Sequence, residues 1–227
     1  MTVLLILFTL ILFLAFDHVI QKKKAAALNP AAVRHPVRDD VPDGVAIALN
    51  HLWVKGSNGV VTMGIDGFLK TFLGAVRVAG LPQTGAVLTP GTPDIVLGEG
   101  EKALHLAPPV AGTVLAVNTR VLEDPALASR DPYGDGWLVK LAVEPQGNAV
   151  VRLFSAAKGT EWIRRQITLA KEFLATQGPV PAFATMQDGG VPVDGILSRY
   201  DAEIWNAFEG EFTSLGEQTN SGKGHTS

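Results

Sequence analysis

Cysteine is absent from all 227 residues. That absence removes disulfides, zinc–thiolate and iron–sulfur sites and a thiol nucleophile together. It leaves the compartment open, because a cysteine-free chain suits either redox environment. Histidine is sparse: His18, His35, His51, His105 and His225 form no H-x-x-x-H pair, so no metal site is expected. Charge is sparse as well, at 18% of residues with a formal net charge of −3. Without a basic patch there is no electrostatic footprint for nucleic acid. No phosphate loop, EF-type spacing or nucleophile–base constellation occurs, and Ser155, Ser198 and Ser214 all lie outside a G-x-S-x-G context.

What the chain does have begins at its N-terminal end. Residues 3–16 are apolar except for Thr9. As a helix, Met1 to Ile20 would rise about 30 Å, enough to cross a hydrocarbon core. A cleaved signal peptide would carry positive charge before the apolar run. Here the order is reversed, with Lys22-Lys23-Lys24 following it and Arg34 and Arg38 behind them. The expectation is a single transmembrane anchor over 1–21 with the C-terminal side in the cytoplasm; a signal peptide unusually poor in n-region charge is the alternative. Residues 22–43, rich in proline and mixed charge without periodicity, read as a flexible tether.

From Gly44 short β-type runs alternate with turn residues. His51–Lys55 and Val60–Ile65 flank Gly56-Ser57-Asn58-Gly59, and Asn-Gly is a strong hairpin signal. Asp66 to Phe72 predicts two helical turns with Phe68, Leu69 and Phe72 on one side and Gly74 as the stop. Val76–Val78, Val87-Leu88, Ile95–Leu97, Ala103–Leu106, Val110–Val117 and Trp137–Val143 read as further strands. Many short strands separated by Gly/Pro turns indicate a compact β-barrel or sandwich over 44–150.

The C-terminal third changes character. Thr160 is expected to cap a helix with Trp162, Ile163, Ile167, Leu169, Ala170, Phe173 and Leu174 on one stripe, ended by Gly178-Pro179. Ile196, Leu197, Tyr200, Ile204, Phe208 and Phe212 form a second stripe. This helical extension, 151–215, is expected to cover an edge of the β-domain or to pair with itself. Residues 216–227 read as a disordered tail.

The candidate site is the turn Gly98-Glu99-Gly100-Glu101-Lys102-Ala103, which carries a Lys between two short strands. His105, just beyond it, reads as a solvent-facing spectator, and Glu99 and Glu101 read as solvated acids without a basic partner.

With the strands placed, residues 51–142 resemble the H protein of the glycine cleavage system. The likeness is carried by His51-Leu52-Trp53-Val54, by Gly64-Ile65 and Leu73-Gly74, and by Leu81-Pro82 with Gly85, Leu88 and Gly91. It continues through Pro109-Val110-Ala111-Gly112, Val117-Asn118 and Leu127 to the signature run Asp131-Pro132-Tyr133-Gly134-Asp135-Gly136-Trp137-Leu138. The resemblance implies a lipoyl/biotinyl-type β-sandwich (a barrel-sandwich hybrid), mainly β with C-terminal α, behind the expected anchor. It also implies a protein that is not a catalyst by itself. In that family a lysine in an E-x-x-K-A motif carries lipoic acid in amide linkage and presents an aminomethyl group to other components.

Counted without gaps from Leu81-Pro82 or back from Pro109, the lipoyl-lysine position falls on Glu101 and the motif Glu on Gly98. With one gap, Glu99-Gly100-Glu101-Lys102-Ala103 matches the motif with Lys102 as the attachment residue. Two functions are therefore expected. One is a membrane-anchored, non-lipoylated scaffold without a cofactor, whose hairpin surface faces a protein partner. The other is a carrier lipoylated on Lys102, served by a lipoate ligase and working with glycine-cleavage-type components.

Overall fold

The structure, a computed structural model, describes residues 40–75, 77–143, 152–177 and 194–215. These lie in one compact unit that begins at Asp39. The expected anchor over 1–21, most of the tether and the tail over 216–227 fall outside the described residues. Among the described residues no helix is long and apolar enough to cross a membrane.

Among the described residues ten strands form two antiparallel sheets. In chain order they are β1 (Ala46–Ala48), β2 (Leu52–Ser57), β3 (Val60–Ile65), β4 (Val78–Gly80), β5 (Val87–Leu88), β6 (Ile95–Glu99), β7 (Lys102–Leu106), β8 (Gly112–Val117), β9 (Val139–Ala142) and β10 (Leu153–Ser155). The larger sheet has the order β10-β1-β2-β3-β9-β8-β5, and the smaller one β4-β6-β7. The helices are α1 (Gly67–Leu73), α2 (Arg120–Glu123), α3 (Ala126–Arg130), α4 (Ala156–Thr176) and α5 (Ala202–Phe212), with a 3-10 turn at Ile196–Arg199. The expected mainly-β domain with C-terminal helices is what forms.

Local chemistry accounts for the best-defined elements. Asn58 and Gly59 both have positive φ, the requirement of a type I′ turn, and they join β2 to β3 with Ser57 opposite Val60. Asp66 caps α1: its Oδ1 accepts the N–H groups of Phe68 and Leu69 at 3.0 and 3.1 Å. Gly74, at φ 62°, ends the helix. Beside it, the Ser129 hydroxyl donates to the Gly74 carbonyl. In β8 the register shifts between Val114 and Ala116, and the intervening Leu115 is turned out to solvent.

The signature run is a strut between elements. The Trp53 indole N–H donates to the Pro132 carbonyl at 2.9 Å, and the Gly67 N–H at the start of α1 donates to the Tyr133 hydroxyl at 3.2 Å. Asn118 Nδ2 donates to the carbonyls of Asp135 and Trp137 at 2.8 and 2.7 Å. A Cβ at Gly136 would come within 2.7 Å of two backbone oxygens, those of Asp131 and Leu127. The loop therefore closes only around glycine at that position.

Several boundaries differ from the sequence reading. Helix α4 starts five residues earlier than expected, after Ser155. Thr160 lies inside it and does not cap it; its hydroxyl instead accepts the Val41 N–H at 2.9 Å. Leu169 is exposed, and Gln166 takes a place on the buried stripe beside Trp162, Ile163, Ala170 and Leu174. The described end of the tether is held against α4, with Val41 buried and Asp40 paired to Arg164 at 2.8 Å. The strand expected at Val76–Val78 begins at Val78; Val76 is outside the described residues. Strand β10, not expected, pairs antiparallel with β1.

Both sheets and the C-terminal helices share one apolar core. Its aromatic centre is Phe68 and Phe72 of α1 packed on Phe208 of α5, with ring centroids 5.7 and 5.5 Å from Phe208. Phe212 joins at 5.6 Å from Phe68. The extension thus packs on the β-domain, and its two helices also meet each other, where Phe173 of α4 lies 6.4 and 5.6 Å from Phe208 and Phe212 of α5.

Candidate functional site: the β6–β7 hairpin

The register of the hairpin is set by its turn. Glu99 pairs with Lys102, Gly98 with Ala103 and Leu97 with Leu104, leaving Gly100-Glu101 as a two-residue loop. Gly100 has φ 59°, whereas Glu101 is not among the residues of positive φ. Positive φ at the first central position alone is the type II′ pattern, which calls for glycine there. Glu101 therefore occupies the exposed turn, and Lys102 is the first residue of β7.

Alternation along β7 decides where each side chain goes. Lys102, Leu104 and Leu106 share one face, on which both leucines are fully buried. The Lys102 ammonium lies 3.4 Å from the Ser198 carbonyl of the 3-10 turn. Ala103 is buried on the opposite face. His105 follows on that face and is half exposed, with Nδ1 3.2 Å from Glu209 Oε1 of α5. The same carboxylate oxygen accepts the His105 backbone N–H. His105 is thus a partnered residue, not a lone one.

Glu99 also has a partner, contrary to expectation: Arg77 Nη1 is 2.9 Å from its carboxylate. Both side chains are well exposed, so the pair contributes under about 1 kcal/mol. Glu101 alone of the two acids keeps the solvated character read from the sequence.

Gly98 is the tightest point. Its φ is 119°, and a Cβ there would lie 2.1 Å from the Lys102 carbonyl oxygen and 2.8 Å from Ala103 Cα. Its N–H donates to the Arg77 carbonyl at 2.7 Å, which ties the hairpin to β4's approach. Any side chain at this position must push β7 away. Gly98→Ala is expected to cost about 2–3 kcal/mol, combining backbone strain with the backbone clash. Chemical denaturation checks the value, and a loss below about 0.5 kcal/mol would contradict the close approach.

A second polar cluster, unread in the sequence, lies in the core. His51 Nδ1 and Asp66 Oδ2 are 2.8 Å apart with both side chains fully buried. The imidazole is stacked between Phe68, at 3.8 Å, and Trp162 of α4, at 4.4 Å. His51 Nε2 has no hydrogen-bond partner. The nearest sequence signal was the H-x-W-V run, which identifies the histidine without showing that α4 closes over it. Near the end of α4, burial pushes the Tyr200 phenol pKa up, and its hydroxyl donates to the Leu174 carbonyl at 3.4 Å. No group of three or more His, Asp or Glu residues suited to a metal occurs among the described residues.

The fold and site are those of a two-sheet β-domain with a lysine beside a hairpin turn and a strut formed by residues 131–138. The glycine cleavage H-protein family model matches residues 46–166, more than half of the chain. The chain belongs to that family. It is 39% identical over 106 residues to a probable glycine cleavage system H protein of Haloarcula marismortui, covering 46% of this chain and 83% of the relative. The H protein of Bifidobacterium longum is 38% identical over 110 residues, covering 48% and 80%. A crystal structure of the Mycobacterium marinum H protein overlaps 54% of this chain and 98% of its own, at 26% identity and a TM-score of 0.48. As a member of this family the chain is not a catalyst by itself.

Proposed function

We propose that this chain is a membrane-anchored, non-lipoylated member of the H-protein family that works as a binding scaffold through its β6–β7 hairpin. The observation that carries the reading is the register of that hairpin. Lipoate joins its carrier through an amide to a lysine amine, and the turn residue is Glu101, whose carboxylate cannot form that bond. Lys102, one residue on, starts a strand on the face that carries buried Leu104 and Leu106, and its ammonium lies against the Ser198 carbonyl. A swinging arm needs its amine at the apex, free of the domain. Lys102 as placed, at the start of β7 and against the Ser198 carbonyl, does not meet that need.

Anchoring of residues 1–21 with the domain in the cytoplasm belongs to the same proposal, supported by the apolar run and the lysines that follow it. A fixed scaffold can use a tether that a diffusing shuttle has no need of. The second reading, a carrier lipoylated on Lys102 and working with glycine-cleavage-type components, is favoured by the match of Glu99-Gly100-Glu101-Lys102-Ala103 to the family motif. Intact-mass measurement after expression with lipoate and a lipoate ligase separates the two. The scaffold predicts the unmodified mass. A gain of one lipoyl group that disappears in Lys102→Ala would overturn it.

A further inference from the structure

Among the described residues three buried polar atoms have no hydrogen-bond partner in the protein: Asn50 Oδ1, His51 Nε2 and Gln166 Oε1. Two of them belong to the seam where α4 lies on the β-domain. Trp162 of α4 stacks on His51 at 4.4 Å, and Phe173, about three turns on, packs on Phe212 at 5.6 Å. Phe68 touches both partners, His51 at 3.8 Å and Phe212 at 5.6 Å. The buried side of α4 between Trp162 and Phe173 therefore runs over the His51–Phe68 pair. Gln166 follows Trp162 by one turn on that side, and it is the one polar side chain among the buried residues of α4.

The hydrogen-bonding sense of the two atoms follows from their neighbours. Asp66 Oδ1 accepts the Phe68 and Leu69 N–H groups, and an ionised carboxylate only accepts. The proton in the 2.8 Å contact with Asp66 Oδ2 is therefore on His51 Nδ1, and a neutral imidazole protonated there has a bare Nε2. His51 Nε2 and Gln166 Oε1 are then both acceptors. Two acceptors do not satisfy each other, and leaving both bare in the core costs free energy.

We propose that one enclosed water molecule sits in this seam, donating one O–H to His51 Nε2 and the other to Gln166 Oε1. Phe68 and Trp162 cover the two faces of the imidazole, so the occupant is small and meets the ring at its edge. Water supplies two donors from one atom, which matches the two acceptors. The bridge makes Gln166 a positioning residue. Apolar side chains alone tolerate sliding of α4 along the seam, whereas a satisfied buried polar contact holds one register. The same register sets Phe173 against Phe208 and Phe212 of α5. None of this depends on how the hairpin is read or on lipoate.

The test is nuclear magnetic resonance on the full chain in detergent micelles, with isotope-labelled imidazole nitrogens. The His51 ring, assigned through its contacts with Phe68 and Trp162, should be neutral with its proton on Nδ1. Its Hε1 should show cross-relaxation to water with the sign of a long-lived internal molecule. Gln166→Met keeps the length of the side chain and loses the acceptor. In that variant the water peak should vanish, and the Nε2 resonance should move toward the position of a bare nitrogen. Its urea midpoint should fall, because loss of one acceptor strands the donor that served it. A wild-type chain without the water peak would overturn the proposal, and that measurement stands whether or not the variant folds. So would an undiminished peak in Gln166→Met, or a scalar coupling between the Gln166 amide nitrogen and His51 Nε2, the mark of a direct bond. A raised urea midpoint in Gln166→Met would also overturn it, since an unpaired amide would then have been removed from the core.

Discussion

Asp66→Ala is expected to remove about 4 kcal/mol or more of folding free energy. Two losses coincide at this one fully buried carboxylate. Its Oδ1 accepts the Phe68 and Leu69 N–H groups, so α1 loses its N-cap, a cost of about 1–2 kcal/mol. Its Oδ2 holds His51 Nδ1 at 2.8 Å, where neither side chain reaches solvent. Removing one member of such a buried pair costs about 3–5 kcal/mol, because the other is left unsatisfied. His51 has nothing in reserve, since its Nε2 is already without a partner. Asp66→Asn makes the contrast: the amide oxygen still caps α1 and the amide nitrogen can donate to a neutral imidazole, so about 1–2 kcal/mol is expected. Urea denaturation followed by tryptophan fluorescence measures both, and Trp162, stacked on His51, reports locally. Equal losses in the two variants would mean that the His51 contact, and not the cap, dominates.

The same cluster shows why parts of this molecule were legible in the sequence and others were not. Asp66 and Gly74 bracket α1 in ways a reader of residues can see, since a cap acceptor and a left-handed stop are local requirements. Asn58-Gly59 fixes the β2–β3 turn for the same reason. The signature run over 131–138 was recognisable as a pattern, but its purpose lies in contacts with Trp53, 79 positions away, and Gly67, 66 away. What could not be read depends on separation. Strand β10 has three residues and exists because β1 offers an edge more than 100 positions earlier. Helix α4 begins before its apolar stripe does, through Ala156-Ala157-Lys158-Gly159, which carries no periodic signal. Gln166 fills a buried place on that stripe where a pattern search expects an apolar residue, and exposed Leu169 takes a place it would assign to the core. His105 looked solitary because Glu209 is 104 positions further on.

The candidate site divides in the same way. Gly100 could be read as the pivot of a turn, but the residues admitted two readings, Glu101 at the apex without a gap or Lys102 there with one gap compensated on both sides. They differ by one position, and in a hairpin one position exchanges the faces of the strand. Packing breaks the tie through Leu104 and Leu106, which must both face the core. That requirement puts Lys102 on their side and leaves Glu101 in the turn. Gly98 reinforces it, because the Lys102 carbonyl lies where a Cβ of residue 98 would stand. A glutamate at the motif position and the present course of β7 are mutually exclusive.

Moving the amine to the apex should therefore convert the chain. The double variant Glu101→Lys, Lys102→Ala is expected to gain one lipoyl group when expressed with lipoate and a lipoate ligase, under conditions in which the wild-type chain gains none. The argument is one of reach and freedom. A lysine at position 101 extends from a two-residue turn into solvent, whereas Lys102 leaves the backbone about 3.4 Å further along and on the other face. An attachment enzyme must bring its own site to the amine, and a misplacement of that size is enough to lose the reaction. The change adds little strain, since Glu101 is exposed and has ordinary negative φ. Stability should stay within about 0.5 kcal/mol of wild type, as for other surface replacements. Intact mass gives the yield and peptide mapping the position. Modification of the wild-type chain on Lys102 to the same extent would show that register does not govern attachment, and the scaffold reading would fall with it. Failure of the double variant in a folded chain would move the cause from the amine to Gly98, the residue on which the motif glutamate falls when counted without gaps.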